Sequence, residues 1–168
     1  MPFTPLHLGP ALAFGLPLRK YLHLPTFIVA NVVLDVEPLL VMMLRLNYPL
    51  HGYLHTFLSA VAVGLLLGYV MFRVNKPLKG FYSKLQLETN KTLTLKSFFA
   101  AGIFGTALHV LFDSLLYSEM HPFFPYLANP MLNFHMSTVS VYLLCVYLGI
   151  LGLTWYAILF AYSLFKKR

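Results

Sequence analysis

The sequence predicts an all-α polytopic membrane protein, a single domain over residues 1–168 with four to five membrane helices. Three observations predict it. Of 168 residues, 59% are hydrophobic and 10% charged, with a mean hydropathy of +0.74, whereas ordinary domains carry about 25% charged residues. The apolar residues gather into runs long enough to sit in a bilayer. The basic residues stand beside those runs, where anchoring and orientation explain them. A net charge of +7 would point to nucleic acid in a soluble chain; here it does not, and no nucleic-acid partner is expected. The single cysteine, Cys145, excludes an internal disulfide and a cysteine-based zinc site. The N-terminal MPFTPLHLGP lacks a basic n-region and a cleavage site, so it does not read as a signal peptide.

Residues 3–18 form a short apolar segment containing Pro10 and Pro17, closed by Arg19-Lys20. Sixteen helical residues reach about 24 Å, marginal against a hydrocarbon core of about 30 Å. A second span runs from Leu24 to about Arg45, interrupted by Asn31, Asp35, Glu37 and Pro38. The proline is expected to kink it and to leave a carbonyl in need of a partner. A third span, about 52–72, opens with HGYLHTF and carries Gly64 and Gly68, a spacing that permits close helix packing.

Residues 73–96 are the one sizeable polar stretch and read as a cytoplasmic loop or a surface amphipathic helix. The stretch includes a glycosylation-type sequon, Asn90-Lys91-Thr92. The fourth span is 97–117. An extracytoplasmic loop, 118–138, follows without Lys or Arg, and residues 139–165 form the last span before Lys166-Lys167-Arg168.

Orientation follows from the positive-inside rule. With the 73–96 stretch and the C-terminus in the cytoplasm, only Arg45 of twelve basic residues falls outside. That places the chain in the cell (cytoplasmic) membrane. It also brings six of the seven histidines and four of the five acids to the outer side, leaving His23 and Glu88 near the inner face.

The centre of this set is GIFGTALHVLFDSLLY, residues 102–117. His109 and Asp113 are four apart, so on a helix they share one face. Ionisable groups at membrane depth are costly and mark functional sites. His51 and His55 make a second same-face pair. With Asp35 and His7 they give about six donors, enough for one or two metal ions in an outward-facing site. Imidazole nitrogen and carboxylate oxygen suit zinc, and also manganese or iron. Paired metals hydrolyse phosphoesters by activating water and clamping the attacking and leaving oxygens. Glu37 and Glu119 are the candidate catalytic residues, either one a general base or a further ligand. The bland alternative for the five central groups is a buried polar network that glues helices. His23 beside Pro25 fits an interfacial position, and His135 a solvated loop.

These motifs resemble the membrane-bound metal-dependent hydrolase family. The resemblance rests on His7-Leu8-Gly9, Asp35-Val36-Glu37-Pro38, the His51–His55-Thr56 segment and the His109-x-x-x-Asp113-Ser114 helix. The Glu119-Met-His121-Pro-Phe-Phe-Pro segment is similar to the family's aromatic, proline-rich stretch, so the likeness runs from His7 to about Pro125. The family looks distantly related to zinc-dependent phospholipases C and single-strand nucleases, which share an all-helical, multi-zinc fold. By that resemblance His7, Asp35, one or both paired histidines, His109 and Asp113 are ligands. It also implies Asp113 as a bridge between metals and His121 as a ligand of a second ion. Gly52 stands where many members have Arg, and Leu54-His55-Thr56 where many have Thr-His-Ser. The second His-x-x-x-Glu helix of the soluble phospholipases is absent, which favours one or two ions over three.

The expected function is a membrane-embedded hydrolase acting on a phosphoester of a lipid or lipid-linked substrate, with the bilayer itself as partner. The alternatives are a metal transporter or sensor, and a structural membrane protein stapled by metal.

Overall fold

The computed structural model describes residues 5–87 and 93–166. Glu88, the 90–92 sequon and Lys167-Arg168 lie outside them. Among the described residues every regular element is helical: α1 Leu8–Leu18, α2 Leu24–Ala30, α3 Val36–Met43, α4 Phe57–Lys84, α5 Leu95–Ser114 and α6 Thr138–Lys166. Among the same residues, four helical segments are long and apolar enough to cross a membrane: Leu24–Met43, Phe57–Lys84, Leu95–Ser114 and Thr138–Phe165. At eleven residues, α1 covers only about 16 Å, roughly half a hydrocarbon core.

The second span is broken, and not where Pro38 suggested. Regular helix stops at Ala30, a 3₁₀ turn occupies Val33–Asp35, and helix resumes at Val36. Pro38 itself falls in the first turn of α3, where a missing N–H costs little. Its effect reaches backward: it cannot bond the carbonyl four residues earlier, at Leu34, and the tighter turn sits there. Asn31 adds to the break, because its Nδ2 donates to the Phe27 carbonyl at 2.8 Å.

The polar stretch also differs from expectation. Residues 73–84 continue α4 and are neither a loop nor a separate surface helix, and α5 has begun by Leu95. Arg, Lys and Leu are good helix formers, and Pro77 forfeits only the bond to the Arg73 carbonyl. At 28 residues α4 runs about 42 Å, longer than the apolar core it would cross.

Close backbone contact holds the bundle. A Cβ at Gly64 would meet the Gly102 carbonyl carbon at 2.7 Å, and one at Gly102 would collide with the Gly64 carbonyl oxygen. Thr106 lies one turn along α5 and donates from Oγ1 to the Ala60 carbonyl at 2.7 Å. The small residues let α4 and α5 approach closely enough for that bond. In the same way α1 lies on α6, with Gly9 against the Cys145 carbonyl and the backbone of Gly149.

Connectivity sorts the ends of the bundle. Arg19, Lys84, Lys96 and Lys166 end or begin helices at one end. His7, His55 and Asp113 stand at the opposite ends of α1, α4 and α5. Beneath that second group Leu34, Ala60, Val110 and Met120 pack as a buried apolar floor.

Candidate metal centre

The site is assembled from the helix termini. On α5, His109 and Asp113 stack as their spacing requires, with Nε2 3.1 Å from Oδ2. The broken second span brings Asp35, whose Oδ1 is 3.8 Å from His109 Nε2. His7 ends the 3₁₀ turn before α1, places Nε2 3.1 Å from Asp113 Oδ1, and lays its ring on His109 with centroids 4.2 Å apart. His55 sits just before α4, which Thr56 starts by accepting the Ser59 N–H. Its Nε2 lies 3.3 Å from His109 Nε2 and 3.7 Å from Asp113 Oδ2. His51 meets His55 edge-on at 4.9 Å and stacks on Tyr117 at 3.9 Å. These six residues are all buried.

What lies behind the rings decides which nitrogens carry protons. The Asn31 carbonyl, 2.8 Å from His109 Nδ1, can only accept, so Nδ1 carries the hydrogen. Glu37 Oε2 accepts from His55 Nδ1 at 2.7 Å, and Glu119 Oε1 from His51 Nδ1 at 2.9 Å. Burial lowers the pKa of His51 below the ordinary imidazole value, so that ring is neutral. With its hydrogen on Nδ1, each of these rings points Nε2 away from its support and toward the cluster. Nitrogens held in this way from behind are the usual arrangement of metal-binding histidines.

The Nε2 atoms of His7, His55 and His109 converge on the carboxylate oxygens of Asp113 and Asp35. Either added protons or a cation must fill the space between. Two donor sets meet there, His7–Asp35–His109–Asp113 and His51–His55–Asp113, each with ligand atoms within 4.8 Å of one another. Asp113 belongs to both. Asp35 Oδ2 is buried without a hydrogen-bond partner, a state that costs a carboxylate dearly unless a cation sits nearby. The residues therefore fit a metal, and this buried His/Asp group could hold one.

The remaining candidates lie around the cluster. Glu37 is fully engaged: it accepts from His55, from the Gly52 and Leu54 amides at 3.1 and 3.2 Å, and from the Tyr48 hydroxyl at 3.2 Å. It thus folds the 48–55 loop under the cluster. Glu119 supports His51 from outside, and its side chain is 43% exposed. Burial opposes ionisation of Glu119, but the bond from His51 holds its carboxyl below the usual value. His121 belongs to neither donor set among the described residues. It lines a cavity of about 370 Å³ with His51, Gly52, Tyr53, Glu119 and Phe124. His135 ends the 3₁₀ turn Pro130–Phe134 and is exposed, while His23 caps α2 at the other end of the bundle.

Three contributors were given no part in the site from the sequence. Asn31 acts through a carbonyl, which every residue has; its only signal is a polar residue inside an apolar run. Tyr48 clamps Glu37, and Gly52 leaves room for it, since a Cβ there would collide with the Tyr48 ring. Comparison with known proteins found no matching family model, no matching curated protein and no matching solved structure.

Proposed function

We propose that the chain is a metal-dependent hydrolase of a phosphoester carried by a lipid or lipid-linked molecule. The observation that carries this reading is the convergence of His51, His55 and His109 on Asp113, each ring held at Nδ1 from behind, beside an open cavity that shares His51 with the cluster. A metal held by these donors would polarise a phosphoryl oxygen and lower the pKa of a water, the two services that phosphoester hydrolysis needs. Asp113 would hold two ions at once, with His7, Asp35 and His109 on one side and His51 and His55 on the other.

The chain's own groups divide the rest of the work. Glu37 positions His55 and is saturated with donors, so it is poorly placed to take a proton from water. Glu119 borders the cavity with an exposed carboxylate and is the better general base. His121, on the same wall, is within the same cavity to meet the leaving group. Zinc suits the donor set, as do manganese and iron. With the basic residues inside, the site faces outward, the orientation that the positive-inside rule favours.

A second reading has one observation in its favour. The six candidate ligands are almost wholly buried, which would also suit a metal or proton network that staples helices and does no chemistry. Elemental analysis of detergent-purified protein beside His109→Ala/Asp113→Ala tests the first step. One or two transition-metal ions per chain, lost in a variant that still folds, supports the hydrolase and justifies a phosphoester screen. Absence of metal after incubation with zinc or manganese would sink it. Metal loss that unfolds the bundle would favour the staple.

A further inference from the structure

The cavity beside His51 opens through a mouth of unusual composition. Tyr53, Phe124 and Leu127 line it, and Tyr53 and Leu127 are 61% and 62% exposed. Tyr126 next to them is 63% exposed. Loops that meet water expose polar residues, yet this one reads Pro-Phe-Phe-Pro-Tyr-Leu over 122–127. It is clipped to the other wall by the Phe57 amide on the Pro122 carbonyl at 2.8 Å and by the Tyr53–Phe124 ring contact at 5.2 Å. The two loops therefore form one rim.

Two features say what covers that rim. It is continuous with a membrane-crossing surface: α3 ends in Met43 and Leu44, 70% and 63% exposed, and its chain runs straight into the Tyr48–Tyr53 loop. It is also poor in charge for a protein partner to read: no Lys or Arg occurs over 46–72 or 97–165, Arg45 stands at its edge beside Leu44, and Glu119 is bonded to His51. Tyr at the ends of membrane helices, as at Tyr53 and Tyr126 here, belongs at the level of the lipid head groups.

We propose that this mouth is seated in the lipid interface, so that substrate reaches the centre from a bilayer and not from bulk water. The inference rests on the phosphoester reading for what enters, and gives that substrate its class: a molecule resident in the membrane whose phosphate stands at head-group depth. Tyr53, Phe124 and Leu127 shield the path laterally, while His121 and Glu119 meet the polar end inside.

The test uses the full chain in phosphatidylcholine vesicles. Trp155 is the sole tryptophan and sits midway along α6, so wild-type emission quenched by lipid brominated near the chain ends verifies insertion. Tyr126→Trp and Leu127→Trp are then made separately in a Trp155→Phe background. Lipid brominated close to the glycerol should remove most of the emission of each, and aqueous iodide little. Quenching by iodide with indifference to brominated lipid would overturn the proposal. Shielding from both would overturn it too, as the signature of a second copy or another protein over the mouth. The readout is independent of hydrolysis, so an inactive protein with a lipid-seated mouth would count against the enzyme reading alone.

Discussion

Nδ1 of His109 lies 2.8 Å from the carbonyl oxygen of Asn31, across 78 residues of sequence. That carbonyl is free because the second span breaks just after it: the Asp35 amide turns to Val32 at 3.1 Å. One defect thus supplies both the acceptor that fixes the His109 tautomer and the turn that carries Asp35 into the cluster. A 3₁₀ interruption inside a helix often marks a functional position, and here its two products can be named.

Because Asp113 belongs to both donor sets, it should weigh more than any other ligand. Asp113→Ala is expected to lose all bound metal. His51→Ala and Asp35→Ala, which each touch one set, should keep about half. Metal-to-protein ratios from mass spectrometry after gel filtration check this. Equal losses in all three variants would argue for one shared ion.

Glu37 supports His55 from behind and is expected to act through it. Glu37→Gln should weaken metal affinity by roughly tenfold to a hundredfold, the range for lost supporting partners. Competition with a fluorescent chelator reads this directly. Unchanged affinity with abolished turnover would assign Glu37 to proton transfer instead.

Two glycines of the α4–α5 pair should respond in opposite directions. Gly102→Val drives a side chain into the Gly64 carbonyl and should cost at least about 1–3 kcal/mol, as overpacking does. A methyl group at Gly80 would meet nothing within 4 Å, and Gly80→Ala in the helix interior should stabilise by up to about 1 kcal/mol. Thermal unfolding in detergent, followed by helix signal, separates them.

His23 gives a pH signature away from the His/Asp cluster. Burial pushes its pKa from 6.5 down to about 4. Between those values the unfolded chain binds more protons than the folded one, so stability falls as pH drops through the window and is fully present above it. His23→Asn keeps a capping side chain for the Thr26 amide, whose present bond to Nδ1 is 3.4 Å. It should flatten the acid limb of the melting-temperature profile relative to wild type. Identical profiles would show that the limb belongs to other groups.

Much of this was legible because helical periodicity is local. The apolar runs located the spans, and the i, i+4 spacing of His109 and Asp113 implied their stacking, which the helix delivers. Gly64 and Gly68 suggested close packing, and both face α5 backbone, at Gly102–Ile103 and Phe98. What failed to show was non-local or turned on competing local terms. Pro38 drew the expected kink to itself, whereas the break lies upstream, where Asn31 bonds its own helix. The polar composition of 73–96 suggested an end to the third span after Phe72, yet helix-forming side chains carry α4 to Lys84. The place of Glu37 behind His55 depends on how a 13-residue loop, 44–56, folds beneath it, and no spacing encodes that.

The packing of α1 on α6 bears on how the protein is made. His7 is made long before the groups its helix leans on, the Gly149 backbone and the Cys145 carbonyl. Asp35 and His55 must likewise wait for α5 before Asp113 and His109 reach them. Throughout biogenesis the early spans carry unneutralised polar groups at a depth where these are costly. The centre therefore closes only after α5 and α6 have been made, and its closure removes that cost.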